Sequence, residues 1–532
     1  MAFSPAQSSV LNPRYSFAPA VLSGLLLAFA FPSADWNWLA WIALVPLLVV
    51  LPEATLRGAF LLGWVAGVAF YLGTLYWIVY VIGSFTPIPY VVALVPLLAV
   101  SAVLALYHGA FAAAVVFAGR RGIEPLVFAP LCWVALEWLR SWFGIGFPWA
   151  SLGYSQYRSH NLIQIAEITG VYGLSALIVL FNVVIAAVVS LRGTTAARAA
   201  QLGVLTIVFA AVQQFGVWRL ANLAVRDGDH LLRVAVIQGN IAQEHKWDPD
   251  YIEETIAIYT RLSREAARST PTLIVWPESA MPFFFDQGGF FANQVRQLAR
   301  ETNAWLLFGS PAREADDGGE IILRNRAHLV SPTGESSGFY DKVQLVPFGE
   351  YVPLQSLLPF IDKLVEGAAP FVAGDEARAL RMGDLHAGVL ICYEVIFPSL
   401  ARALVSDGAE VLISITNDAW FGATSAPYQH LSMAALRAVE NRVPVVRAAN
   451  TGISAFIQPD GTIQSETDLY EPAYRVADLS WPSVDTVYRR FGDVFAGACL
   501  LCSIAWLIVA QRRAQSAERR RAEAAGEDDT EE

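Results

Sequence analysis

Long apolar runs dominate the first part of the chain. They cover residues 18–31, 36–51, 59–82, 90–117, 126–142, 162–191 and 200–217, and an eighth covers 494–509. A helix needs about 20 apolar residues to cross a bilayer, with a range of about 17–25. The pattern therefore predicts about seven spans before residue 220 and one more at 490–511. Between 231 and 484 the pattern changes. Short β-branched runs predict strands at 232–238, 272–276, 305–309, 321–330, 387–392, 411–416, 443–448 and 453–458. Amphipathic stretches between them predict helices at 250–267, 290–302, 399–407 and 427–441. Pro427 suits a helix start, where its missing N–H costs nothing. The expected fold is a polytopic α-helical membrane domain at 1–220 followed by a layered α/β domain at 231–484. A charged tail at 512–532 is expected to be disordered.

Composition separates the two parts further. Of 532 residues, 55% are hydrophobic and 16% are charged, against about 25% charged in an ordinary soluble domain. That excludes a disordered chain, a coiled coil and a collagen-like fibre. From Met1 to Gly119 the only charged side chains are Arg14, Asp35, Glu53 and Arg57. Glu137, Arg140 and Glu167 fall inside apolar runs and are expected to pair within the bundle. With the N-terminus inside, inner loops hold Arg57, then Arg120 and Arg121, then Arg192 and Arg198. Arg512, Arg513, Arg519, Arg520 and Arg521 put the C-terminus on the same side. Arg158, in an outer loop, breaks the rule. This orientation places the α/β domain outside, with both termini inside.

The net charge is −11, with no basic surface that would suggest nucleic acid. Four cysteines exclude a disulfide scaffold. No P-loop, dinucleotide fingerprint or His/Cys metal spacing is present, so neither cofactor nor metal is expected. Cys392 is the single cysteine of the outer domain and ends the apolar strand Gly388-Val389-Leu390-Ile391. Strand ends are where α/β folds place working groups. A thiol with a free pKa of about 8.5 needs a base or cation beside it. Glu278 ends another apolar strand and could accept a proton. Lys342, one of three lysines with Lys246 and Lys363, could stabilise an oxyanion. Singly, each residue fits an ordinary role equally well: a core cysteine, a loop glutamate, a surface lysine.

The ordered set is more specific. WPES around Glu278, YDK around Lys342, LVPFGEYVP around Glu350 and ICYE around Cys392 resemble the nitrilase superfamily. Further segments resemble its membrane-bound apolipoprotein N-acyltransferase family: GFPWASLGYSQ, TGVYGLS, QGNIAQEHKWD, TNDAWFG, PYQHLSMAALRAVENR and VRAANTGIS. The resemblance covers nearly the whole chain before Arg512.

It implies an α-β-β-α sandwich with Cys392 as nucleophile, Glu278 as general base and acid, and Lys342 as oxyanion stabiliser. The Tyr393 N–H would be a second oxyanion donor. Glu350 would orient Lys342 or an amine, Glu394 would support the site, and Trp247 would ride a mobile loop beside it. Asn417, Trp420 and Phe421 would shape the pocket, and Phe147 and Trp149 would meet lipid at the outer interface. The implied reaction moves an acyl chain from a phospholipid, through a thioester, to the amine of a diacylglyceryl-cysteine apolipoprotein. The expected setting is a bacterial inner membrane, the expected state a monomer. Two rivals stay open on the residues alone: a membrane-anchored amidase, and a transporter or receptor with an outer binding domain.

Overall fold

The computed structural model describes residues 16–142, 146–191, 193–223, 230–315, 318–351 and 371–528, with side chains through Ser516 in the last helix. Arg14, Arg192 and Lys363 lie outside the described residues, as do the side chains of Arg519, Arg520 and Arg521.

The α/β region contributes twelve strands among the described residues. These are β1 (His230–Gln238), β2 (Leu273–Val275), β3 (Trp305–Ala315), β4 (Ile321–Val330), β5 (Ser336–Asp341), β6 (Leu380–Met382), β7 (Leu385–Ile391), β8 (Val411–Thr416), β9 (Val445–Ala449), β10 (Ala455–Ile457), β11 (Ile463–Gln464) and β12 (Ala473–Trp481). They form two six-stranded sheets in the orders β12-β1-β2-β3-β4-β5 and β11-β10-β9-β8-β7-β6. Each sheet has a parallel centre, β1–β2–β3 or β7–β8–β9, with antiparallel neighbours outside it. One pairing pattern is thus used twice, although the sequence shows no repeat.

Side chains alternate across a strand, and β1 shows the result. Leu232, Val234 and Val236 join the core that continues into the second sheet. Ala235 and Ile237 instead pack under helices Ile252–Ala267 and Phe290–Thr302. Helices Pro398–Ser406 and Ala426–Asn441 contact the second sheet, which completes an α-β-β-α sandwich.

Among the described residues, five helices are long and apolar enough to cross a bilayer: Leu56–Thr74, Tyr90–Gly119, Tyr172–Val189, Thr195–Asn222 and the stretch Val494–Ser516 of the last helix. The expected count of eight is not reached on these criteria. Helix Ala18–Phe29 has only 12 residues. Run 36–51 is broken into two 3-10 turns and the short helix Val45–Val50. Run 162–191 breaks at Gly170, whose φ of 63° ends a helical turn. A Cβ there would also meet the Tyr488 ring at 2.7 Å. Helix Pro125–Trp142 keeps both Glu137 and Arg140 buried. Two spans pack backbone to backbone through Gly63 and Gly67, where an added Cβ would meet His108 O at 2.3 Å and Ala105 Cα at 2.9 Å. Small residues four apart permit that approach.

The last helix continues through Asp528, so the tail expected to be disordered is helical as far as it is described. Its Ala, Arg, Glu and Gln content has high helix propensity. Arg513 donates to the carbonyls of Arg121 and Gly122, which puts these two arginine-bearing segments on one side. The outlying Arg158 is paired with Asp35.

Helix Ala426–Asn441 is buried along almost its whole length, because it lies between the sandwich and the bundle. Gln429 donates to Pro32 O and Thr74 O at 3.0 and 3.1 Å. Arg437 donates to the Tyr154 hydroxyl, and Glu440 accepts from Val171 N. Just past the helix, Arg442 meets Glu167 at 2.7 Å, and Arg219 meets the same carboxylate oxygen at 2.7 Å. The expected pairing of Glu167 therefore reaches out of the bundle into the sandwich.

Glu167→Gln leaves two guanidinium groups without their carboxylate. Removing one partner of a buried ion pair costs about 3–5 kcal/mol. The expected result is a clear fall in thermal unfolding midpoint in detergent; a midpoint equal to the unaltered protein's would contradict the pairing.

Candidate active site

Glu278 follows β2, where the chain turns back under β3. Gly309 makes room for this turn: a Cβ there would lie 2.3 Å from Ser279 N and 2.8 Å from Glu278 Cα. The Glu278 side chain is buried. Its Oε1 accepts from Asn325 at 2.8 Å and from Lys342 Nζ at 3.4 Å, and its Oε2 accepts from Asn417 N at 2.9 Å. Burial alone would raise the carboxyl pKa. Lys342, the Asn325 amide, Lys246 and the Asn417 N–H outweigh burial and hold it below the usual value.

Lys342 follows β5 and is equally buried. Its Nζ lies 2.9 Å from Glu350 Oε1, closer than to Glu278. Burial would lower the ammonium's pKa, but the two carboxylates win and raise it, so Lys342 is a fixed positive charge. Glu350 also accepts from Asn325 at 3.0 Å and from Val346 N at 2.7 Å. Asn325 on β4 thus holds both carboxylates at once.

Cys392 stands where β7 ends. Its φ is 52°, left-handed for a residue with a side chain, a conformation that costs about 1–3 kcal/mol and needs support. Glu394 supplies part of it: Oε2 accepts from Ile391 N at 2.7 Å, while Oε1 accepts from Val343 N, Gln344 N and the Tyr340 hydroxyl. One buried carboxylate therefore ties the Cys392 turn to the segment carrying Lys342. Burial pushes Glu394 up to about 7 against the pull of those N–H groups. On the other side His430 Nε2 lies 3.0 Å from Cys392 O. A carbonyl only accepts, so this nitrogen carries the proton, and Nδ1 accepts from Arg447 at 3.1 Å. Arg447 also pairs with Asp418 at 2.7 Å. Burial and Glu278 push the Cys392 thiol up to about 12, and Lys342 pulls the other way.

Aromatic rings form one wall. Phe147 stacks on Trp149 and on Tyr393, and Trp149 stacks on His430. Phe421 meets Trp77 and Trp149, while Trp420 meets Phe85. Bundle and sandwich both contribute. Trp149 is buried and its Nε1 donates to Gln429, so it faces the site and not the lipid, contrary to the expectation for it. Phe147 is only partly buried beside it. Trp247 is 49% exposed, on the loop after β1, where its ring is free to meet a ligand.

Glu137 and Arg140 find their partners within the bundle, as expected, though not in each other. Both instead grip the segment that presents the wall. Arg140 donates to Trp149 O, Ser151 Oγ and the Tyr71 hydroxyl, and Glu137 accepts from Leu152 N. Sequence reasoning missed Asn325, Lys246, His430, Asp418 and Arg447 as parts of this site. A signal existed for one of them: Arg447 interrupts the otherwise apolar strand Val445–Ala449.

A family model described as the apolipoprotein N-acyltransferase N-terminal domain matches residues 23–184. A carbon-nitrogen hydrolase model matches 233–489. An apolipoprotein N-acyltransferase from Geobacter metallireducens is 47% identical over 94% of this chain and 96% of its own length. Relatives of the same name from Chlorobaculum tepidum and Gloeobacter violaceus are 30% and 34% identical over 96% and 93% of this chain, and over 99% and 94% of their own.

Glu394→Gln would set an NH2 donor against the N–H groups that the carboxylate now accepts from. Leaving such donors unmet costs about 1–3 kcal/mol, more for a charged group. The expected result is a lower denaturant midpoint; an unchanged midpoint would contradict the bracing role.

Proposed function

The chain belongs to the apolipoprotein N-acyltransferase family, and on that premise we propose that Cys392, Glu278 and Lys342 carry its reaction. It is a membrane enzyme that acylates apolipoproteins, the last step of bacterial lipoprotein maturation. The observation that carries the residue assignment is the contact of Lys342 with both Glu278 and Glu350, in a site whose field reaches the Cys392 thiol.

In the first half-reaction Glu278 takes the thiol proton as Cys392 Sγ bonds to an ester carbonyl of a phospholipid. Lys342 and the Tyr393 N–H stabilise the oxyanion. The C–O bond then breaks, and Glu278 returns the proton to the departing glycerol oxygen. In the second, the α-amine of a diacylglyceryl-cysteine attacks the thioester and Glu278 takes its proton. The C–S bond breaks, and the thiolate recovers a proton from Glu278. Glu350 orients Lys342, and Asn417 holds Glu278 through its main chain. Trp420, Phe421, Phe147 and Trp149 supply an apolar wall for acyl chains, and Trp247 meets a substrate from the loop.

Both substrates carry acyl chains, and each CH2 drawn into water costs about 0.8 kcal/mol. The aromatic wall shared by bundle and sandwich suits chemistry beside the bilayer. We place the sandwich on the periplasmic side of an inner membrane, with both termini cytoplasmic.

The pH dependence follows from the two shifts. A thiol near 12 is not populated as thiolate at neutral pH, so its proton must leave during attack. Glu278 is active when ionised, and its lowered pKa keeps it so until the solution is acidic. Acyl-enzyme formation should fall only on the acid side, below the ordinary carboxylate value, with no rise centred near the free-thiol value of about 8.5. A rise centred there would contradict base catalysis by Glu278. Lys342→Met should slow acyl-enzyme formation about 100- to 1000-fold, the usual effect of losing an oxyanion donor; a loss under about fivefold would contradict its role. Initial rates with both substrates varied should give the parallel lines of a ping-pong reaction; intersecting lines would contradict the thioester route.

A further inference from the structure

Lys246 lies on the loop after β1 and is 3% exposed. Its Nζ donates to the backbone carbonyl of Glu278 at 3.1 Å, and it makes no ion pair among the described residues. The loop is pinned to the ends of the central strands. Ile241 N donates to Asn450 Oδ1 at 2.9 Å, and Gln243 Oε1 accepts from Asn417 Nδ2 at 2.8 Å. Lys246 is the third pin, and it reaches the main chain of the general base.

Charge counting gives it a second task. Glu278 is a buried carboxylate and Glu350 a partly buried one, and Lys342 is one ammonium, seated closer to Glu350 than to Glu278. Two carboxylates sharing one cation cannot both stay ionised without cost. The charged or titratable groups that face Glu278 are Lys342 after β5, Cys392 at the end of β7 and Lys246. Glu350 enters through their shared partners Lys342 and Asn325. Those that face Lys246 are Glu278 and Cys392. With Lys246 counted, two ammonium groups balance two carboxylates. Burial lowers Lys246 to about 8 while Glu278 and Cys392 pull it upward, so the ammonium prevails at neutral pH.

We propose that Lys246 is a positioning residue for both half-reactions: its ammonium clamps the Glu278 main chain and balances the second carboxylate of the site, which keeps Glu278 in its proton-accepting form. This rests on Glu278 being the general base. It gives the loop that carries Trp247 a fixed electrostatic link to the site.

The test follows acyl-thioester formation on the full-length enzyme in detergent with a defined phosphatidylethanolamine, from pH 4.5 to 8.5. Lys246→Met and Lys246→Gln should move the acid limb upward by about one pH unit. The rate then falls about threefold at pH 5 and stays within twofold at pH 8. Lys246→Arg, which keeps the charge, should leave the limb in place. Lys246→Met combined with Glu350→Gln restores one carboxylate per ammonium and should bring the limb back, which a merely structural lysine would not do. Thermal midpoints of all variants identify any that fail to fold, and the proposal is then read from the folded ones. An unmoved limb in Lys246→Met and Lys246→Gln, or an equal loss at every pH, would overturn it. Absence of acyl-enzyme in the unaltered protein would overturn the reading of Glu278 itself.

Discussion

Charged groups taken out of water must be answered by one another, and this constraint organises the molecule. At the site, Glu278, Lys342 and Lys246 are buried and Glu350 is partly buried beside them. Lys246 follows β1, Glu278 follows β2, and Lys342 and Glu350 follow β5, so the sandwich must bring these ends to the end of β7, where Cys392 stands. Two sheets with parallel centres do this, because parallel strands deliver their C-terminal ends to one edge. Glu394 then fastens the Cys392 turn to the Lys342 segment through four accepted hydrogen bonds. Strain at Cys392 is tolerable because the polar groups around it already have partners.

The same constraint joins membrane and sandwich. Helix Ala426–Asn441 has Gln429 and His430 near one end and Arg437 and Glu440 near the other. The first pair touches the aromatic wall and the carbonyl of Cys392. The second touches Tyr154 and Val171 of the bundle. Arg442 continues the series to Glu167. A polar contact buried in this way resists sliding, since any shift leaves a charge unmet. The bundle therefore acts as more than an anchor: it supplies Phe147 and Trp149 to the site, and Glu137 and Arg140 hold them.

Much of this was legible in the sequence where one physical signal dominated. Runs of apolar residues marked the bundle, and β-branched runs marked the central strands, because burial on both faces leaves little choice of residue. Edge strands were not legible. β6 and β11 are too short to show a period, and β12 alternates Tyr474, Val476 and polar residues at a sheet margin. Five of the eight expected runs contain a helix long and apolar enough to cross a bilayer; the other three are the 12-residue helix Ala18–Phe29, the broken run 36–51 and helix Pro125–Trp142 with its buried Glu137 and Arg140. Glu278, Lys342 and Cys392 stood out by type and strand-end position. Asn325, Asp418, His430 and Arg447 did not, since their importance lies in contacts between distant segments. Trp149 was misplaced for a related reason: an aromatic near an interface looks the same whether it faces lipid or a catalytic turn.

Whether Cys392 carries the acyl group can be weighed directly. The full-length protein would be incubated with a phospholipid of one defined acyl chain and no acceptor, then digested, and the peptide bearing Cys392 measured by mass spectrometry. The predicted result is a mass increase equal to that acyl chain on Cys392, discharged by an added diacylglyceryl-cysteine peptide and absent in Cys392→Ser. Acyl attached to another residue, or transfer to the peptide by Cys392→Ser at the unaltered rate, would contradict it.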